Sequence, residues 1–299
     1  MTPSFRRGTL EDSYAVYTVF VRTLDDFRRR MNFQTDQAGD SDLEQWWGRR
    51  RSIFEHLART ADQFWIAEEA GQPIGYARSI RRGDTRELTE FFVLPAHQSA
   101  GVGRELLARA FPADGASHRA IIATADARAQ GRYLRAGVYS HFPIYYFYRK
   151  PQVVPTPSDL TIEPFAEAQP VAAELRAIDT QILGYTRDVD HDWLLRDRVG
   201  HLYRREGRVV GYGYAGANNS PFALLDSRDY PAVLADAEAQ AAAQGLDEIG
   251  FEVPLINTQA VDYLLRRGYR MDSFFAFYMC DARRGRLENY IVTSPPFFL

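Results

Sequence analysis

One stretch restricts the fold of this chain more than any other. PQVVPTPSD, residues 151–159, places three prolines in nine positions and carries neither helical nor strand periodicity, so it reads as an extended linker. The sequences on its two sides share one order of elements, which makes an internal duplication the first organisation to consider. Before the linker, a strand at Ser4–Arg7 leads into two helices, over 11–30 and about Asp42 to Arg59. A hairpin follows over FWIAEEAGQPIGYARSIRR, with its turn centred on Gly71-Gln72. Then come a strand in LTEFFVLP, a helix in GVGRELLARAF, a buried strand in AIIATA, a short helix in DARAQGRYLRAG and an aromatic terminal strand in FPIYYFYRK.

After the linker the series repeats. LTIEPF is a strand, PVAAELRAIDTQIL a helix, and HLYRREGRVVGYGYAG a hairpin whose GRVVGYGYA echoes GQPIGYARS. A helix from about Tyr230 to Gln244, the strand DEIGFEVPL, the helix NTQAVDYLLRRGYR and the strand FFAFYMCD complete it. The order predicts two copies of one mixed α/β (α+β) fold, each a mostly antiparallel twisted sheet flanked by helices. The expected domains are 1–150 and 159–299, joined by a linker over 151–158, and 299 residues suffice for two such cores.

Composition narrows the function. A hydrophobic content of 45% and a charged content of 25% suit a folded soluble protein. No apolar run approaches the roughly 20 residues that span a bilayer, and MTPSFRRGTLEDSY has no signal-peptide core; a cytoplasmic protein with no membrane partner is expected. The single cysteine, Cys280, precludes an internal disulfide framework, and the six scattered histidines form no metal motif, so no metal is expected. Residues 1–150 hold 22 Lys and Arg against 18 Asp and Glu, and residues 151–299 hold 14 against 21. A first half at +4 and a second at −7 lack the strongly basic footprint of a nucleic-acid binder.

The stretch FFVLPAHQSAGVGRELLARAF, residues 91–111, is where chemistry is expected. A strand, a loop with two glycines and a helix start form an anion site, because the first helical amides lack internal partners and sit at the positive end of the dipole. Gly101 and Gly103 remove side chains where a phosphate must approach the main chain. A Walker loop would need GKS or GKT, which is absent. A dinucleotide fingerprint would need a third glycine where Leu106 stands, and a parallel βαβ unit where a hairpin precedes the loop.

Gln98-Ser99-Ala100-Gly101-Val102-Gly103 after Val93-Leu94-Pro95 resembles the acyl-coenzyme A loop of the GNAT N-acetyltransferase superfamily, Gln/Arg-x-x-Gly-x-Gly/Ala after a V-x-P strand end. The hairpin before it and Tyr133-x-x-x-Gly137 after it arrive in that family's order, so the resemblance covers nearly all of residues 4–150 and, by element order, 158–299. It implies acetyl-coenzyme A as co-substrate without a metal. The pyrophosphate would rest on the backbone amides of residues 98–104, ending at Arg104. Pantetheine would lie along Phe92, Val93 and Leu94, where the strand splays from Ile121–Ala125. Asp126 stands where the family often has an asparagine that contacts pantetheine.

Acetyl transfer to an amine needs a base for the amine and benefits from an acid for the thiolate. The resemblance assigns the acid to Tyr133. It draws the base from the loop strand, where Glu90, in an otherwise apolar run, is favoured over Glu87. The second copy lacks the Gln-x-x-Gly-x-Gly pattern, running NNSPFALLDSRDYPAVL instead, and Leu264 occupies the tyrosine position. It is therefore expected to be degenerate, shaping the acceptor pocket or supporting the first copy. The expected activity is N-acetylation of a small-molecule amine by the first copy, acting as a monomer or homodimer. The alternatives are a non-catalytic acyl-coenzyme A-binding regulatory module and an acetyltransferase for protein amines. The acidic second half leaves room for cationic acceptors such as polyamines. The helices over 11–30 and 42–59, with Trp46 and Trp47, would line the acceptor pocket by the same resemblance.

Overall fold

The computed structural model describes residues 2–33, 40–216 and 218–299. Its contacts divide the chain into two compact units, Met1–Tyr139 and Ser140–Leu299. Among the described residues, no helix is long and apolar enough to cross a membrane.

In the first unit, strands β1 (Ser4–Arg7), β2 (Ala61–Glu69), β3 (Gln72–Arg82), β4 (Thr85–Val93) and β5 (His118–Thr124) lie side by side in sequence order. All pairings are antiparallel except β4 with β5. The hairpin turn falls on Ala70–Gly71, one residue before the expected centre, because these two residues adopt positive φ, as the favoured two-residue hairpin turn requires. Helices α1 (Ser13–Arg30) and α2 (Asp40–Arg59) pack on one face of the sheet, and α3 (Val102–Ala110) packs on β2, β3 and β4. In α1, Val16, Tyr17, Val19 and Phe27 recur at helical spacing and are buried, and Arg28–Arg30 sit in the last turn, where cations complement the dipole. Alternation along β4 sorts the two faces: Phe92 meets Phe20 of α1 edge-on at 5.1 Å, while Phe91 and Val93 lie beneath Gly103 of α3. Helix α4 (Ala127–Arg135) follows β5 and ends at Gly137, whose φ of 81° suits glycine at a helix C-terminus.

In the second unit, β6 (Tyr139–Arg149) is flanked by β11 (Ile249–Pro254) and β12 (Arg270–Cys280), pairing antiparallel with β11 from Ile144↔Pro254 to Arg149↔Ile249. The strand that closes the first copy in sequence is therefore built into the second unit in space, and the contact boundary lies at Tyr139/Ser140. Its aromatic residues explain the stability of this place: Phe142 stacks on Tyr278 at 5.1 Å and Tyr145 on Phe275 at 4.7 Å. A second sheet runs β13 (Tyr290–Ile291), β10 (Phe222–Leu224), β9 (Arg208–Gly216), β8 (Arg198–Arg205), β7 (Thr161–Phe165). Helices α5 (Ala172–Ile182), α6 (Asp188–Leu194), α7 (Tyr230–Ala243) and α8 (Thr258–Arg266) complete the unit. The linker residues have no regular structure. Neither α6 nor β10 was expected; each is shorter than eight residues and carries too little pattern to be read from sequence.

A buried polar cluster ties α5 and α6 to β9. Asp179, fully enclosed, accepts from the Tyr212 hydroxyl at 2.6 Å and lies 2.9 Å from Nε2 of His191, whose Nδ1 lies 2.7 Å from the Tyr214 hydroxyl. Arg187 donates to the Tyr212 oxygen and to the Leu299 carbonyl. Removing one member of such a cluster strands the others in a dry interior. Asp179→Ala is expected to cost about 3 kcal/mol or more, read as a lowered denaturant midpoint.

Candidate functional site

The parallel ladder between β4 and β5 runs from Thr85↔His118 to Leu88↔Ile121 and stops there. Just beyond, β4 carries a bulge: Arg78 of β3 faces Glu90 and Ser79 faces Leu88, so Thr89 is the extra residue. The bulge turns β4 away, and a cavity of about 160 Å³ opens between Thr89–Val93 on one side and Ile122–Thr124 on the other. Thr23, Leu24 and Phe27 of α1 close it above, and Arg128, Arg132 and Tyr133 of α4 close its far wall.

The glycine loop sits at one end. After Val93 the chain makes a short 3-10 turn at Pro95–His97, and Gln98 turns back to donate from Nε2 to the Val93 carbonyl at 2.9 Å. Ser99 and Gly101 have positive φ, 71° and 85°. The first helical amides, of Arg104 and Glu105, both donate to the Gly101 carbonyl, which places the amides before them at the helix start. At Gly103 a Cβ would stand 3.2 Å from the Phe91 ring, so glycine lets α3 approach the strand closely. Gln98, Ser99 and Gly103 face the cavity; Leu94, Ala100, Gly101, Val102 and Arg104 belong to the same turn but not to its wall.

Of the two β4 glutamates, Glu90 lines the cavity, whereas Glu87 is buried opposite Ile80 and Ala120 in the paired part of the strand. The Glu90 carboxylate is 2% exposed and firmly held. Its Oε1 accepts from the Tyr76 hydroxyl at 2.8 Å, and its Oε2 accepts from Nε of Arg78 at 2.5 Å and forms an ion pair with the same guanidinium. Arg78 is fully buried, stacks over the Phe64 ring at 4.9 Å and donates to the Phe54 carbonyl of α2. Burial and the neighbouring carboxylate keep the Tyr76 hydroxyl well above the usual phenol value, so it stays a donor.

Tyr133 also faces the cavity, 6% exposed, its ring edge-on to Phe91 at 6.1 Å. Burial, reinforced by the Asp126 charge, raises its hydroxyl above the ordinary value. Asp126 caps α4 by accepting from the Arg128 amide at 2.9 Å, and its Oδ2 also binds Arg30 of α1 at 2.9 Å. Burial would raise this carboxyl, yet the bonds from Arg128 and Arg30 hold it below its usual range. A carboxylate is thus explained where the family often has an amide: here it orders two guanidiniums at the cavity. His97, beside the loop, lies 3.2 Å from Glu69.

Sequence reasoning did not single out Tyr76, Arg78, Arg30, Arg128 or Arg132. Arg78 had a legible signal, an arginine within the apolar alternation of IGYARSI. The others depend on which helices meet across the cavity.

The second copy differs at the equivalent places. Gly75↔Val93 and Tyr76↔Phe92 correspond to Gly211↔Leu224 and Tyr212↔Ala223, which sets Tyr214 in the position of Arg78 and Pro221 in that of Glu90. α3 begins nine residues after Val93, whereas α7 begins six after Leu224, so the loop itself is shorter.

Comparison with known proteins agrees with this geometry. Residues 60–140 match the acetyltransferase (GNAT) domain family. Across nearly the whole chain the fold is similar to that of a Pyrococcus horikoshii protein assigned to the acetyltransferases (TM-score 0.73, 14% identity, covering 96% of this chain and 92% of that one). It is also similar to a GCN5-related N-acetyltransferase from Sphaerobacter thermophilus (0.58, 15%, 93% and 95%). A tandem GNAT protein from the clavulanic acid biosynthesis pathway matches likewise (0.56, 11%, 95% and 100%). Residues 60–140 thus match the GNAT domain family, and the fold of the chain is similar to that of tandem GNAT proteins.

Two outcomes follow. Glu90→Gln and Arg78→Met should each destabilise by about 3–5 kcal/mol, and the double variant by less than the sum, because each single change leaves a buried partner unmatched; a denaturation double-mutant cycle reads this. The depressed Asp126 carboxyl contributes stability above its unfolded value of about 4, and that contribution is lost as pH falls through the lower folded value. The melting-temperature gap between wild type and Asp126→Asn should therefore shrink as pH is taken from 7 to 3.

Proposed function

We propose that the first unit is an N-acetyltransferase that moves an acetyl group from acetyl-coenzyme A to the amine of a small molecule. The observation that carries this reading is the open seam between β4 and β5, bounded by the glycine loop at one end and by Glu90 and Tyr133 along its walls. An unpaired strand edge inside a sheet offers main-chain donors and acceptors to an extended, amide-bearing ligand, and the loop amides with Arg128 and Arg132 suit its phosphates.

Acetyl-coenzyme A supplies the acetyl group as a thioester: a nitrogen–carbon bond forms as the carbon–sulfur bond breaks, releasing the thiol. Tyr133 supplies the proton that the departing sulfur takes up. Its raised pKa keeps the hydroxyl protonated at physiological pH, so it is present as a hydrogen-bond donor to the departing sulfur, and a thiolate, with a reference value of about 8.5, is a stable leaving group that needs little further assistance. Glu90 receives the amine proton through a water. Its Oε2 is occupied by Arg78, but Oε1 has one protein donor, Tyr76, and a carboxylate oxygen can accept a second bond. Loss of the Glu90 position to Pro221 and the shorter loop support a second copy that does not transfer acetyl groups.

The second reading, a non-catalytic acyl-coenzyme A-binding module, draws on one specific observation: both Glu90 oxygens already hold protein donors. Thiol release separates the two. With an accepted amine, Tyr133→Phe should lower kcat by about 100-fold with little change in KM for acetyl-coenzyme A. Stabilisation by acetyl-coenzyme A with no thiol released by any amine in a broad panel would favour the binding module.

A further inference from the structure

The second unit contains the counterpart of the gap between β4 and β5. With Leu224 equivalent to Val93, residues Phe222, Ala223 and Leu224 of β10 stand where Phe91, Phe92 and Val93 of β4 border the cavity. Counting back from the helix caps Asn257 and Asp126, Glu252 of β11 stands where Ile121 ends the β4–β5 ladder. In the second copy this gap holds a strand of the chain itself. β13 pairs with β10 through Phe222↔Ile291 and Ala223↔Tyr290. On the other side, the Val292 amide donates to the Glu252 carbonyl of β11 at 3.0 Å. β10 and β11 therefore both turn an edge toward residues 290–292.

Side-chain groups repeat the substitution. In the first copy the Val93 carbonyl accepts from the Gln98 amide group at 2.9 Å; in the second the Leu224 carbonyl accepts from the Asn289 amide group at 2.7 Å. Asn257, fully buried at the start of α8, donates to the Tyr290 carbonyl at 3.3 Å. The turn into α7, where the first copy has its glycine loop, holds an anion of its own. There an Asp226 carboxylate oxygen accepts from the Arg228 amide at 2.9 Å. The Arg228 side chain and amide bring this carboxyl down to about 2, so it stays ionised. A helix start that already holds a carboxylate has less to offer a phosphate.

We propose that the second copy holds its own segment, residues 289–292, in place of a coenzyme, and that the chain therefore binds one coenzyme A, in the first unit. The segment is part of the core and not a cover over it. Tyr290, Ile291, Val292 and Thr293 are fully buried, and Ile291 belongs to one apolar cluster with Phe222, Leu224 and Val253. The Arg187 guanidinium lies over the Tyr290 ring at 5.3 Å, and Thr293 donates from Oγ1 to the Phe298 carbonyl at 2.7 Å. Withdrawing the segment would expose these side chains and leave two strand edges without partners. That places its opening near the free energy of global unfolding. The inference rests on the reading of the first gap as a coenzyme site and adds that its counterpart is closed from within.

The test is hydrogen exchange of the full chain, free and saturated with acetyl-coenzyme A, beside calorimetric titration with the same ligand. In the free protein, residues 289–293 are expected to exchange on the order of a thousand-fold or more slowly than an unstructured chain. Acetyl-coenzyme A should leave them, and residues 222–226 and 249–258, unchanged. Its protection should fall on residues 89–104 and 122–133, with one coenzyme bound per chain. Ile291→Ala should lower the denaturant midpoint and keep that stoichiometry. Rapid exchange of residues 289–293 in the free protein overturns the proposal. So does a change in them or in the flanking strands on adding ligand, two coenzymes per chain, or a second coenzyme gained by Ile291→Ala. The two readings fail separately. No coenzyme binding anywhere defeats the acetyltransferase reading, while slow exchange of residues 289–293 in the free protein still shows the second gap filled.

Discussion

The candidate site depends on one interrupted hydrogen-bond ladder. β4 and β5 pair as far as Leu88↔Ile121, and the bulge at Thr89 then carries β4 away from its neighbour. Inside a sheet, main-chain groups left without a strand must find another partner, so the separation creates the space and also lines it with donors and acceptors. The cavity and its access to Glu90 and Tyr133 follow from that separation. Helix α1 covers the gap with Thr23, Leu24 and Phe27, and the Arg30–Asp126 ion pair fastens α1 to the start of α4.

The two copies keep one physical device with different parts. Tyr76 and Tyr212 occupy equivalent strand positions, and each donates its hydroxyl to a buried carboxylate that stands beside a buried arginine. In the first copy both charged partners come from neighbouring strands, Arg78 and Glu90, and the carboxylate borders a cavity. In the second, Pro221 holds the glutamate position, and α5 and the α6 turn supply Asp179 and Arg187 instead. There His191 and the Leu299 carbonyl complete the cluster. A pairing that borders a ligand space in one copy ties helices to a sheet in the other.

Much of the fold was legible because the signals are local. The hairpins, the glycine loop, the capped short helices and the linker each rest on turn chemistry or on periodicity within a dozen residues. Glu90 stood out as a carboxylate in an apolar strand, and Tyr133 only through the family resemblance. Tyr76 and Arg78 as the partners of Glu90 required strand register, and Arg30, Arg128 and Arg132 required knowing which helices converge on one gap. The hairpin turn moved by one residue because Ala70 and Gly71, not Gly71 and Gln72, accept positive φ.

The sequence by itself determined the duplication, the mixed α/β class and the glycine loop between strand and helix, because each is written in element order and in residue types that the backbone demands. Only the tertiary structure decided where β6 belongs: an aromatic strand with the same alternation fits either copy, and packing against Phe275 and Tyr278 selects the second unit. The structure also decided that Glu90 is held by Arg78 and Tyr76. The partners of Glu90 lie 12 and 14 residues from it along the chain, on the neighbouring strand. Their meeting depends on strand register, which arises from the summed burial of the whole unit and not from any local stretch.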